Sequence, residues 1–135
     1  MKTDIEIKVG EELDKAVADA AGIECKISHE FGIPLCHLTR AGSKSLEGIG
    51  SDWKAYDAGY PFTPSRDLNA AIAAAESVFE QWVIERRAAF VDDTVRYAFS
   101  GYANRRHYAF FKDTFTLAIC AAILEVKDQN DDSPN

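Results

Sequence analysis

The chain has 135 residues, 47% hydrophobic and 27% charged, with a net charge of −7. That balance fits one folded domain rather than a disordered or membrane-embedded chain, and a domain of this length buries roughly two thirds of its unfolded surface without needing a disulfide or a metal. The acidic sum excludes a global basic footprint, so extended nucleic acid is not an expected partner.

Met1 to Glu6 carry no apolar stretch behind a basic start, and no run approaches about 18 apolar residues, so neither a secretory signal nor a membrane span is expected. Ile5, Ile7 and Val9 alternate with Glu6 and Lys8, which predicts a strand over 4–9 ending at Gly10. Leu13, Ala16, Val17, Ala20 and Ala21 fall at helical spacing, with Gly22 as the stop. Ile23, Cys25 and Ile27 alternate again and predict a second strand. Pro34 leaves Leu35 to Thr39 an edge strand at best. Cys25, Cys36 and Cys120 are odd in number and lack framework spacing, which points to reduced thiols and a cytoplasmic location.

Gly42, Gly48, Gly50, Gly59 and Pro61 break any period over 40–63. An irregular or partly stranded insertion is expected there, its aromatics Trp53, Tyr56, Tyr60 and Phe62 packing back on the body. Thr63 can cap a helix opened by Pro64. Leu68, Ala71, Ile72, Ala75, Val78, Phe79, Trp82 and Val83 form one apolar face, so the helix is predicted to reach about Arg87. Val95, Tyr97 and Phe99, then Tyr108 and Phe110, alternate on either side of Gly101 to Arg106. This is a hairpin with a loop of several residues, in which Gly101 and Asn104 form the turn. Asp113-Thr114 can cap a last helix to about Val126, apolar nearly all round and hence buried, followed by a frayed acidic tail. The division is a single domain over 1–127 and a disordered tail over 128–135. The element order predicts an α+β domain with an antiparallel or mixed sheet and helices packed on its faces.

Three segments carry a family resemblance. Glu12-Leu13-Asp14-Lys15-Ala16-Val17-Ala18 is similar to an opening helix of the form Leu-Asp-x-x-Val-Ala. Pro61-Phe62-Thr63-Pro64-Ser65-Arg66-Asp67-Leu68-Asn69-Ala70-Ala71 is similar to a helix start of the form Pro-x-Tyr-Ser-Thr-Asp-x-x-Ala-Ala. Asp113 to Leu124, which contains Leu117-Ala118-Ile119-Cys120-Ala121-Ala122-Ile123-Leu124, is similar to a closing Leu-Ala-Ile-Cys-x-Ala-Ala-Leu. In this order they resemble the phage ABA-sandwich domain, a family of small phage-encoded proteins. The chain departs from that pattern in its extra N-terminal strand and in having Gly22-Ile23-Glu24-Cys25 where a Trp is usual. The resemblance implies an α/β/α layered sandwich, a phage or prophage origin and the bacterial host cytoplasm. It implies no activity. Some small phage proteins of similar build look like immune-signal sponges, an analogy of architecture that does not fix function.

Charge is unevenly placed. Arg86, Arg87, Arg96, Arg105, Arg106 and Lys112 lie with only Asp92 and Asp93 in one segment, which therefore carries +4 and leaves −11 on the rest. Aromatic residues are interleaved with it. Arginine can fork two hydrogen bonds to a phosphate and an aromatic face can stack a base. The candidate ligand-binding residues are Arg96, Tyr102, Asn104, Arg105, Arg106, His107 and Tyr108. The alternative is a hairpin with one aromatic face in the core and solvated arginines on the other. Cys25, His29, Cys36 and His37 match no common zinc spacing, and adjacent Cys36 and His37 would face opposite ways on a strand, so no metal is expected. No nucleophile elbow appears, Gly48-Ile49-Gly50 is not a phosphate loop, and Glu11-Glu12 and Asp92-Asp93 are adjacent pairs that decorate a helix start and a turn. The expectation is a protein that is not an enzyme and takes no cofactor: a phage accessory protein, homo-oligomeric, that sequesters a small anionic nucleotide-type ligand as a counter-defence sponge. A protein-interaction module that inhibits or recruits a host protein is the alternative.

Overall fold

Glu11, Glu12 and Asp14 stand in the first turn of helix α1 (Glu11–Ala21), where the helix dipole favours negative charge. Gly22 closes the helix in the left-handed region at φ 76°, and Ile23 N–H donates back to Ala18 O at 2.9 Å. The helix ends where the spacing places it. The computed structural model describes residues 9–29, 32–49, 59–88 and 95–132. Residues 4–8 of the expected first strand lie outside these, as do Trp53 and Tyr56.

Strands β1 (Cys25–Ser28) and β2 (Leu35–Leu38) pair antiparallel. β2 is not an edge. On its other side Leu38 N–H donates to Tyr60 O and Phe62 N–H to Cys36 O, each at 2.9 Å, and His37 bridges Pro61. Pro34 precedes β2 and so removes no donor from it.

The expected irregular insertion instead begins with helix α2 (Arg40–Ile49). Thr39 starts it: its Oγ1 accepts from Gly42 N–H at 3.3 Å, and its carbonyl from Ser43 N–H at 2.9 Å. Gly42 is no helix breaker here. A Cβ on it would stand 2.1 Å from Glu24 O, so glycine lets α2 approach the chain leading into β1.

Helix α3 (Leu68–Val78) is shorter than predicted at both ends. Thr63 O accepts from Arg66 and Asp67 N–H in a separate turn, and Asp67 is the cap, its carboxylate accepting from Asn69 N–H at 3.0 Å. Phe79 is already extended, and strand β3 (Gln81–Ala88) follows. Trp82 and Ile84 are half-buried while Val83 and Glu85 are exposed, the period of a strand. The helical pattern ran on past Val78 because Phe79, Trp82 and Val83 happen to continue its spacing.

β3, β4 (Val95–Ala103) and β5 (Arg106–Lys112) form an antiparallel sheet in that order. Only Asn104 and Arg105 link β4 to β5, at φ 53° and 66°. This is the two-residue turn whose twist matches the flanking strands, shorter than the loop expected. Gly101 is not in the turn but inside β4, where a Cβ would meet the Phe79 ring at 2.8 Å.

Helix α4 (Phe115–Asp132) opens where Thr114 Oγ1 accepts from Leu117 N–H at 3.2 Å. It runs past the expected end at Val126, so residues 128–132 of the expected disordered tail are helical. Arg106 Nη1 donates to Gln129 Oε1 at 2.6 Å and Gln129 Nε2 to Glu125 Oε2 at 2.9 Å, which hold the added turn on β5. Ala118 to Ile123 are all buried, as an apolar girdle requires.

The described residues form an α+β fold with two antiparallel sheets. α4 packs on β4 and β5, α3 and α1 pack on α4, and β1 and β2 pack on α1. Five buried alanines of α3 (Ala70, Ala71, Ala73, Ala74, Ala75) allow close approach to α4, and Phe62, Phe99, Ile23, Leu38 and Leu46 fill the core. Among the described residues no helix is long and apolar enough to cross a membrane.

Candidate functional site: the β4–β5 hairpin

The register of the hairpin decides where each basic and aromatic side chain goes. Phe99 stands opposite Phe110 and Ile84, and Gly101 opposite Tyr108 and Trp82. Paired residues share a face, so these look inward onto the helices. Ala98 stands opposite Phe111 and Glu85, Ser100 opposite Ala109 and Val83, and Tyr102 opposite His107 and Gln81. These look outward. The inner face is aromatic and packed: the Phe79 and Phe99 rings lie 4.9 Å apart, Phe79 and Tyr108 6.0 Å, and Trp82 and Phe99 stack at 6.2 Å. No helix covers the outer face among the described residues, and it exposes Val83, Tyr102 and Phe111.

The seven candidate residues therefore part company. Asn104 and Arg105 form the tip, and both are exposed. Tyr102 and His107 meet on the outer face, ring centroids 5.1 Å apart. Arg106 lies on the inner side, turned to Gln129 of α4. Tyr108 is buried in the core, and its hydroxyl has no hydrogen-bond partner among the described residues. Arg96 is exposed on the outer face, six residues from Tyr102 along β4, or about 20 Å at 3.3 Å per residue. The tip brings together Tyr102, Asn104, Arg105 and His107, with Arg106 next to them in the chain but turned to the other face. It does not bring in Arg96, and Tyr108 supports it from beneath.

Two shallow grooves flank the tip. The outer one, about 230 Å³, is lined by Gln81, Val83, Ser100, Tyr102 and His107 among others. The inner one, about 310 Å³, lies between β5 and α4, with Arg106, His107, Glu125 and Gln129 on its walls. Sequence reasoning missed Val83, Gln81, Glu125 and Gln129. Val83 was absorbed into the helical pattern, Gln81 enters through strand pairing, Glu125 through the packing of α4 on β5, and Gln129 through the added turn of α4.

Arg105 is conformationally costly. Its φ of 66° puts an L side chain in the left-handed region at a position that glycine usually fills. Among the described residues no hydrogen bond or ion pair holds its guanidinium. Among the described residues no three His, Cys, Asp or Glu side chains converge as metal ligands.

No family model matches the chain, and no curated protein or solved structure matches it.

Proposed function

We propose that the protein is a non-catalytic binding protein whose recognition element is the tip of the β4–β5 hairpin, and that its ligand is a small anionic molecule of the nucleotide class. Arg105 carries this reading. A strained turn with an exposed arginine where glycine would be cheaper is the kind of local cost that binding sites retain. Arg105 supplies forked donors for phosphate and the Tyr102–His107 pair supplies a stacking face, while Arg106 adds a second guanidinium when it exchanges Gln129 for the ligand. The groove of about 230 Å³ is below the usual range for small-molecule pockets, so a second copy of the chain is proposed to complete the site. The resemblance to phage ABA-sandwich proteins adds the biological part: a phage accessory protein in the host cytoplasm that keeps an immune messenger from its effector.

The test is thermal melting of the purified protein with linear and cyclic nucleotides. A rise of several degrees with the ligand recovered unchanged supports sequestration, and Arg105→Ala or Arg106→Ala should each weaken binding about tenfold. Normal binding by both variants would place the site elsewhere, and consumption of the nucleotide would make the protein an enzyme.

A second reading is a protein-interaction module that inhibits or recruits a host protein. Exposed Val83, Tyr102 and Phe111 on one uncovered sheet face favour it. No melting shift with any nucleotide, together with a host protein retained by wild type and lost by Phe111→Asp, would select this reading.

A further inference from the structure

Beyond Val126 the closing helix has nothing apolar to bury. Val126 is itself buried, and the residues that follow, Lys127 to Asp132, are all polar or charged, yet they are helical. Propensity does not account for this extension. Asp and Asn are poor helix formers, and the last turn carries no basic residue to meet the negative end of the helix dipole. A helix end without a packed face keeps its order through the contacts that hold it to its neighbours. One such contact comes from β5. Arg106 Nη1 donates to Gln129 Oε1 at 2.6 Å, and Gln129 Nε2 donates to Glu125 Oε2, one turn earlier, at 2.9 Å. The guanidinium grips the helix end through an amide that is itself anchored on the helix.

Arg106 is also within reach of a ligand. It is exposed, it follows Arg105 directly, and a groove of about 310 Å³ lies open beside it. A guanidinium makes a stronger hydrogen bond to a phosphate, where both partners are charged, than to a neutral amide. Glu125 stands on the wall of that groove, so its carboxylate repels an anion from the space between β5 and α4. An anion at the tip therefore draws Arg106 outward rather than following it in, and Gln129 loses its partner on β5.

We propose that Arg106 is a two-position switch that couples occupancy of the tip to the end of α4. In the free protein it holds residues 127–132 as helix. With a phosphate at the tip it leaves Gln129, and the helix unwinds back to Val126, where burial of apolar side chains begins. The switch rests on the tip being an anion site. Two consequences follow from the exchange. A bond has to break before Arg106 can serve the ligand, so Gln129 restrains binding rather than contributing to it. The loaded protein also differs from the empty one by an order-to-disorder change at its C-terminal end.

The experiment is hydrogen exchange read by mass on the full chain, beside calorimetric titration with ATP, GTP, cyclic AMP, cyclic GMP and inorganic pyrophosphate. In the free wild type the amides of residues 127–132 should be protected. The probe that binds should speed their exchange about tenfold and leave the rest of α4 unchanged. Arg106→Ala should show the same fast exchange with no probe present. Gln129→Ala should show it too, but should bind the probe about threefold more tightly, since no bond has to break first. Weaker binding by Gln129→Ala would overturn the proposal, because Gln129 would then position Arg106 for the ligand. A helix end as protected in Arg106→Ala as in wild type would overturn it as well. Binding that leaves 127–132 protected would overturn the switch and keep the tip as the site. No binding by any of the five probes would overturn the tip as an anion site, and the switch with it.

Discussion

Asp14 lies fully buried on α1, where its Oδ1 accepts from Ser65 N–H at 2.8 Å while Oδ2 has no partner among the described residues. Burial is the main cause that raises its pKa above the ordinary 3.8, and the bonds from Ser65 offset only part of it. The folded chain therefore holds this proton more tightly than the unfolded chain does. The stabilisation from the protonated form is complete below pH 3.8 and is lost as pH rises through the raised native value. Asp14→Asn keeps an acceptor for Ser65 and removes the charge. Its stability relative to wild type should improve as pH rises above 3.8 and level off once pH passes the raised native value, as followed by urea denaturation, and a difference that is the same on both sides of that rise would contradict this. Tyr108 presents a related case, a buried hydroxyl without a partner. Tyr108→Phe should raise stability by about 1 kcal/mol, because an unsatisfied buried donor is removed at nearly constant shape. Nucleotide binding should be unchanged, since Tyr108 lies beneath the tip and not on it.

At the level of the element, the hairpin sets a stability cost against a binding role. Arg105→Gly relieves the left-handed strain and completes an Asn-Gly turn, so it should stabilise the protein by about 1 kcal/mol. The same change should weaken nucleotide binding about tenfold. Equilibrium denaturation and titration calorimetry on one variant measure both, and a loss of stability would contradict the strain argument. Gly101→Ala should instead cost about 2 kcal/mol, as its Cβ would press on the Phe79 and Phe99 rings. The hairpin and its alternation were legible because one face is apolar and the period is two. Its turn was misplaced because Gly101 reads as a turn former when only the packing of Phe79 shows why glycine is needed there. The end of α3 was missed because Phe79, Trp82 and Val83 continue its helical spacing, whereas the strand is set by Trp82 and Ile84 alternating with Val83 and Glu85. α2 was missed because Gly42 and Gly48 count against a helix locally, whereas close approach to Glu24 is a tertiary demand.

For the whole molecule, the helices lie to one side of the three-stranded sheet and the tip of the hairpin stands at its end. On the other side Val83 (58%), Tyr102 (50%) and Phe111 (43%) are exposed. If a second copy completes the binding site there, light scattering should give more than the monomer mass, and Val83→Asp should return it to monomer with an unchanged circular dichroism spectrum. A monomeric wild type would remove the oligomer from the proposed function. The sequence by itself determined the α+β class, α1 with its glycine stop, the antiparallel hairpin and the buried closing helix. Each of these rests on a local period or a local cap, which neighbouring residues suffice to set. Only the tertiary structure decided which of the basic and aromatic residues meet. The +4 of the Arg86–Lys112 segment looks like one site when read along the chain. Strand pairing sends Arg106 to α4 and buries Tyr108, because side-chain direction alternates with every residue of a strand, and the length of β4 leaves Arg96 about 20 Å from Tyr102 on the same face.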